Sequence, residues 1–369
     1  MTTTRNHALD HLRVFVIFLV IVLHASISYM AYAPTWWYVL DPQRSMVFTE
    51  LVLLIDVPIM FVMFFLAGYF TYPSLAKRGP RFFLKEKFVR IAIPWAFGVL
   101  VLAPPTSYLI YFSRHAPMSL GTFWRTDFWG PAFQQSVYWY LGVLLLFFTL
   151  TALLFAVNRR FACWKPQTSR PTWRIFLAFL SATSAGSLIV GLAYTLDQWS
   201  HIYLLVYQPV RVPLYVGYFA LGIFAHQRRW FIEGGYTPSL LRWLPLCLLS
   251  GCAYLASRIA LPPAMPATAA KTTAILLFNL FCLSSLMASL ALFLGHTGSD
   301  SRFWRSQARN SYGIYYLHPL ILYPLALTLV PLPLSIYAKA IAITIAAYLI
   351  SWGASAAILT RLPGLRRMF

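Results

Sequence analysis

Ten stretches of this chain are each long and apolar enough to cross a lipid bilayer, and little but short loops lies between them. They run about 12–32, 50–72, 90–112, 135–157, 174–196, 205–225, 241–261, 272–294, 309–330 and 335–360. A bilayer core takes roughly 20 apolar helical residues to span, and within it a helix bonds all of its own backbone polar groups. Composition agrees. Of 369 residues, 60% are hydrophobic and only 10% are charged, against about 25% in soluble domains. The expected fold is therefore an all-α integral membrane protein, a bundle of about ten transmembrane helices, forming a single domain over 1–369. The sixth stretch is weakened by Pro209 and Pro213, and only Pro331–Leu332–Pro333 separates the last two.

A formal charge of +20 first suggests nucleic acid. The placement of the charges argues against it, because no basic stripe interleaves with exposed aromatics. With the amino terminus set inside, all of the 29 lysines and arginines except Arg44, Arg114, Arg125, Arg211, Arg258, Lys271 and Lys339 fall on the inner side. This is the positive-inside pattern, and it puts both termini in the cytoplasm. The outer loops carry Trp36, Trp37, Tyr38, Trp124 and Trp129, which suit either an interfacial belt or stacking platforms for a sugar. Arg5, an apolar run and Ala31–Tyr32–Ala33 have the outline of a signal peptide, but the run is long for one and contains His24. Cys163, Cys247, Cys252 and Cys282 form no CxxC pair and read as small packing residues, with no disulfide framework and no zinc site.

Within the first span, His24 follows Arg13 by eleven residues. That is about three turns and roughly 16 Å of helix, so the two side chains share a face. Ionisable groups at such depth are functional candidates. A second histidine, His318, lies in the ninth span, where Ser311, Tyr315 and His318 fall on one helical stripe; polar contacts between helices are the competing use for such a stripe. Asp56 in the second span is a candidate proton-relay carboxylate. Alternatively, Asp56 or Glu50 pairs structurally with Arg211 in the sixth span. The basic loop after the second span, ending in Lys87 and Arg90 before Pro94, suits a phosphorylated ligand as well as simple inner-side charge. No GxxxxGK[ST], HExxH or GxSxG is present. Neither histidine begins an HxxxxD motif, and no dense His, Cys and carboxylate cluster suggests a metal.

Together these elements resemble the acyltransferase-3 family of integral membrane acyltransferases. Arg13-x10-His24 is similar to its first-helix signature, and Phe64–Phe65–Leu66–Ala67–Gly68–Tyr69 to its second-helix pattern. Lys87, Arg90 and Pro94 resemble its basic element, Tyr138–Trp139–Tyr140–Leu141 its aromatic element, and Ser311–Tyr312 through Tyr315 to His318–Pro319 its late signature. Two positions depart from the pattern. Ala67 stands where serine is common, and Lys87 stands where an arginine would offer a bidentate fork.

The resemblance implies transfer of an acyl group, often acetyl, in some members succinyl on periplasmic glucans. The donor is cytoplasmic acyl-CoA and the acceptor a hydroxyl of an extracytoplasmic glycan or related molecule. The setting is the bacterial inner membrane, with no permanently bound cofactor and no nucleic-acid partner. Arg13, Lys87 and Arg90 are then expected to bind the donor's phosphates. His24 would act as general base, a role preferred here to an acyl-histidine intermediate. His318 and Tyr315 would stabilise charge or orient the acceptor, and Asp56 would set a histidine tautomer. A polytopic transporter or flippase for an acylated or lipid-linked solute is the alternative, since proline-broken spans with buried charges suit one, although no inverted repeat is evident.

Overall fold

The computed structural model describes residues 7–232, 234–260, 265–296 and 301–369; Arg5 lies outside them. Helices dominate. In order they are α1 (His7–Ile27), α2 (Met46–Lys87), α3 (Ile93–Phe97), α4 (Ala103–Phe112), α5 (Leu120–Thr126), α6 (Trp139–Val157), α7 (Arg159–Ala162) and α8 (Trp173–Gly191). A small antiparallel hairpin, β1 (Ser200–Ile202) and β2 (Leu205–Tyr207), precedes α9 (Val212–Gln227). Then follow α10 (Leu240–Ile259), α11 (Ala267–His296), α12 (Arg302–Leu329) and α13 (Ile336–Ala354).

Seven helical segments among the described residues are long and apolar enough to cross a membrane. One of them, Met46–Phe112, is 67 residues long and holds both the second and the third expected stretches. Eight of the ten expected stretches fall in these segments; the sixth and ninth do not. The sixth is shortened because Pro209 and Pro213 have no N–H to give, so that a 3-10 turn at Pro209–Arg211 leaves α9 only 16 residues. The ninth becomes α12, which is long but polar. Gln307, Asn310, Ser311 and His318 are all buried, and a helix buried in protein has no need to match lipid.

Helix α2 is interrupted at Gly79, whose backbone takes φ 74° and ψ 161°, a region that only glycine enters cheaply. Pro80 follows and reinforces the break. Beyond Lys87 the helix widens into π-type turns at Phe88–Ala92 and Gly98–Leu102, on either side of α3. Such turns leave backbone groups that other side chains must satisfy.

The chain forms two compact units, each assembled from separated pieces. One takes residues up to Arg13, Val57–Glu86 and Leu144–Ser301; the other takes Val14–Asp56, Lys87–Val143 and Arg302–Phe369. In the first, α2 and α9 meet backbone to backbone. A Cβ on Gly68 would overlap the Phe219 carbonyl, and one on Gly222 would overlap the Phe65 carbonyl. Phe61, Phe64, Tyr215 and Tyr218 fill the interior beside this contact. Arg211 pairs with Asp197 at 3.0 Å, and Asp197 also bonds Arg258 at 2.5 Å. Of the four cysteines only Cys282 is buried; Cys163 and Cys252 are exposed, which corrects the reading of them as interior packing.

In the second unit α12 and α13 are held by polar bonds. Tyr348 Oη donates to Gln307 Oε1 at 2.7 Å, and Ser355 Oγ donates to Asn310 Oδ1 at 2.9 Å. Lys339 and Asp41, almost wholly buried, form an ion pair at 2.9 Å.

Candidate active site

His24 lies in the last turn of α1, and His318 near the middle of α12. The structure brings them together within the second unit. His24 Nδ1 lies 2.9 Å from His318 Nε2. The ring centroids are 5.1 Å apart and the planes differ by 14°. That separation is close to the most a 2.9 Å contact between two imidazoles allows, so the bond runs edge to edge. His318 is fully buried and His24 half-buried.

The direction of the bond follows from its neighbour. His318 Nδ1 lies 2.7 Å from the carbonyl oxygen of Tyr315. A carbonyl only accepts, so this nitrogen carries the proton. In a neutral His318, Nε2 is then a lone-pair acceptor, and His24 Nδ1–H must donate to it. That leaves the lone pair of neutral His24 on Nε2.

The Tyr315 carbonyl is available because residue 319 is proline. In an α-helix the N–H of residue 319 would bond the carbonyl of residue 315, and proline has none. The same logic recurs one element away. Pro94 has no N–H for the Arg90 carbonyl, and the Tyr312 hydroxyl donates to that oxygen at 2.9 Å. Tyr316 Oη donates to the Pro94 carbonyl at 2.8 Å, and Tyr138 Oη to the Tyr316 carbonyl at 3.1 Å. The aromatic residues of α12 therefore tie it to the irregular stretch around α3.

Trp37, only 3% exposed, lies against His24 with ring centroids 5.6 Å apart. Its indole N–H donates to Ser28 Oγ at 3.3 Å. Tyr38 packs on Tyr323 at 4.2 Å, and burial pushes its hydroxyl up to about 12 despite a bond involving Ser136. Trp36, Trp124 and Trp129 are exposed. The outer-loop aromatics thus separate into a buried pair, of which Trp37 lies against His24, and an exposed set.

The other expected site residues are placed as follows. The Tyr315 hydroxyl donates to the Val137 carbonyl, while its own carbonyl holds His318. Asp56 is half-buried on α2; the His318 imidazole bonds the Tyr315 carbonyl as well as His24. Arg13 bonds Asp10 at 3.0 Å, one turn back on α1. Arg90 is exposed and Lys87 half-buried at the π-type turn. Sequence reasoning missed Trp37 as a neighbour of His24 and the function of Pro319 in freeing a carbonyl. The second was open to inspection, since a proline directly after a histidine in a helix always frees the carbonyl three residues before that histidine.

No curated protein and no solved structure gives a significant match to the chain. A family model described as an acyltransferase domain matches residues 6–356. The chain therefore belongs to the acyltransferase-3 family and is a membrane acyltransferase.

Proposed function

We propose that the protein moves a short acyl group, acetyl or succinyl, from acyl-CoA on the cytoplasmic side to a hydroxyl of an extracytoplasmic glycan or related acceptor, in a bacterial inner membrane. His24 is the general base. Its Nε2 takes the proton of the acceptor hydroxyl while that oxygen attacks the thioester carbonyl. The tetrahedral intermediate then collapses, the C–S bond breaks, and the thiolate recovers the proton from His24 Nε2. The products are an O-ester and free thiol.

The observation that carries this reading is the chain of bonds from the Tyr315 carbonyl through His318 to His24. It supports a neutral His24 with its lone pair on Nε2, the nitrogen that is not bonded to His318. As His24 becomes an imidazolium, its bond to His318 becomes charge-assisted and strengthens, and the face of Trp37 favours the cation. The positions of His318 and of the Tyr315 carbonyl suit orienting that base. Lys87 and Arg90 are assigned to the donor's phosphates, and Arg13, on the helix that carries His24, is a further proposed donor contact.

The test uses purified protein in nanodiscs with labelled acetyl-CoA or succinyl-CoA and a glycan acceptor. Wild type moves label to the acceptor, and His24→Ala does not while still inserting and folding. A well-folded His24→Ala that transfers at the wild-type rate overturns the base assignment. Failure of wild type to move label under any donor favours a carrier of acylated solutes instead.

A further inference from the structure

Five arginines converge on one cavity in the second unit. It holds about 830 Å³ and is lined by Arg302, Arg305, Arg309, Arg361 and Arg366, with Phe369 at its wall. Pockets for small organic ligands fall in the range of about 300–1,000 Å³, so this one has room for a nucleotide. Among the described residues, its lining includes no aspartate or glutamate side chain. Arg302, Arg305 and Arg309 are spaced i, i+3 and i+7 on α12 and so share a face. Arg361 and Arg366 come from the segment after α13.

Inner-side charge alone does not account for this. The positive-inside rule asks only for basic residues in a loop and is indifferent between lysine and arginine. Here all five are arginines and all five meet at one space. Guanidinium forks match phosphate oxygens two at a time, which an ammonium does not.

The position adds to the argument. Arg309 and His318 lie on one helix, nine residues or about 14 Å apart. Tyr312 sits between them. It bonds the Arg90 carbonyl, and its ring packs 4.9 Å from that of Phe369 at the cavity wall. A ligand with phosphates in the cavity and a long arm along α12 would point toward the histidine pair. We infer that this cavity is a polyphosphate site, and that together with Lys87 and Arg90 it takes the phosphorylated nucleotide end of the thioester donor. The inference rests on the transfer reading given above. An anionic phospholipid headgroup shares the same phosphate chemistry, and the experiment separates the two sources.

Full-length protein in phosphatidylcholine nanodiscs is treated with phenylglyoxal, which modifies arginine, with and without coenzyme A. Mass spectrometry then reads Arg305 and Arg361. Coenzyme A should protect both, its form lacking the 3′-phosphate should protect less, and pantetheine should not protect. Absence of protection by coenzyme A overturns the proposal, as does protection by added phosphatidylglycerol but not by coenzyme A. In calorimetry the double variant Arg305→Gln/Arg361→Gln should bind coenzyme A at least about tenfold more weakly, since charge-assisted bonds are lost. Equal affinity in a folded variant overturns it. Acyl transfer by wild type is measured in parallel. Transfer without arginine protection removes this site and leaves the transfer reading standing; protection without transfer does the reverse.

Discussion

Tyr315 and Pro319 stand one helical turn apart on α12, and the backbone bond that would ordinarily join them is missing because proline carries no N–H. His318 fills the gap, donating Nδ1–H to the Tyr315 carbonyl at 2.7 Å. A covalent property of one residue thus fixes the tautomer of its neighbour, and through a 2.9 Å bond that of His24.

Replacing Pro319 by alanine restores an N–H that competes for this carbonyl. A helix-interior proline costs about 3 kcal/mol, so the variant should melt no lower than wild type. Its kcat should nevertheless fall about tenfold, with a displaced pH profile, because His318 can then take either tautomer. Thermal unfolding and kcat against pH are the measurements. A variant with wild-type kcat and pH profile would remove the positioning role.

The two histidines should respond differently to substitution. His24→Ala should lower kcat by about 10²–10⁴, the usual loss for a general base. His318→Gln retains an oxygen that can accept from His24 Nδ1, whereas His318→Leu does not. The Gln variant should therefore keep clearly more activity than the Leu variant at equal expression. Equal rates for the two would show that acceptance of that proton is irrelevant.

Gly68 belongs to the second-helix pattern, and its position explains it without chemistry. A methyl group there meets the Phe219 carbonyl. Gly68→Ala should destabilise the protein by about 1–3 kcal/mol, the cost of overpacking, with activity per folded molecule unchanged. Thermal unfolding against active-site-normalised kcat decides it; lost activity without lost stability would contradict a packing role.

Lys339 and Asp41 are 4% and 3% exposed in their side chains. Lys339→Met would strand the Asp41 carboxylate and should cost about 3–5 kcal/mol. Adding Asp41→Asn should recover part of this loss, since the pair is then replaced rather than broken. Denaturant midpoints of the single and double variants test it, and a double variant less stable than the single would refute the account.

What the sequence disclosed follows from what a helical period can convey. Arg13, His24 and the stripe from Ser311 to His318 stand out because spacing alone puts residues on one face. Eight apolar stretches were visible because lipid imposes composition. The ninth stretch forms α12, which buries Gln307, Asn310, Ser311 and His318, and a sequence does not show which neighbours those side chains meet. Partners far apart in sequence stayed hidden. Nothing local marks Trp37 as the neighbour of His24. The Asp197 carboxylate, which meets Arg211 at 3.0 Å, lies outside every expected span, and no spacing marks it. Arg302 and Arg361 fit inner-side charge by sequence, and only folding places them around one cavity.

Asp197 makes a pH prediction outside the membrane-spanning helices. Burial pushes its carboxyl up, but Arg211 and Arg258 together hold it below the ordinary carboxylate range. A carboxyl with a depressed folded pKa contributes stability that is fully present above the unfolded value of about 3.9, and that contribution is lost as pH falls through the folded value. Its side chain is 49% exposed, so solvent screening keeps the contribution small. Wild type should therefore lose stability more steeply than Asp197→Asn as pH drops below about 4, and the two curves should run parallel above pH 5 or so. Melting temperature from pH 3 to 7 for both proteins provides the comparison. If Asp197→Asn loses stability on acidification as steeply as wild type, the two guanidiniums do not act on this carboxylate as described.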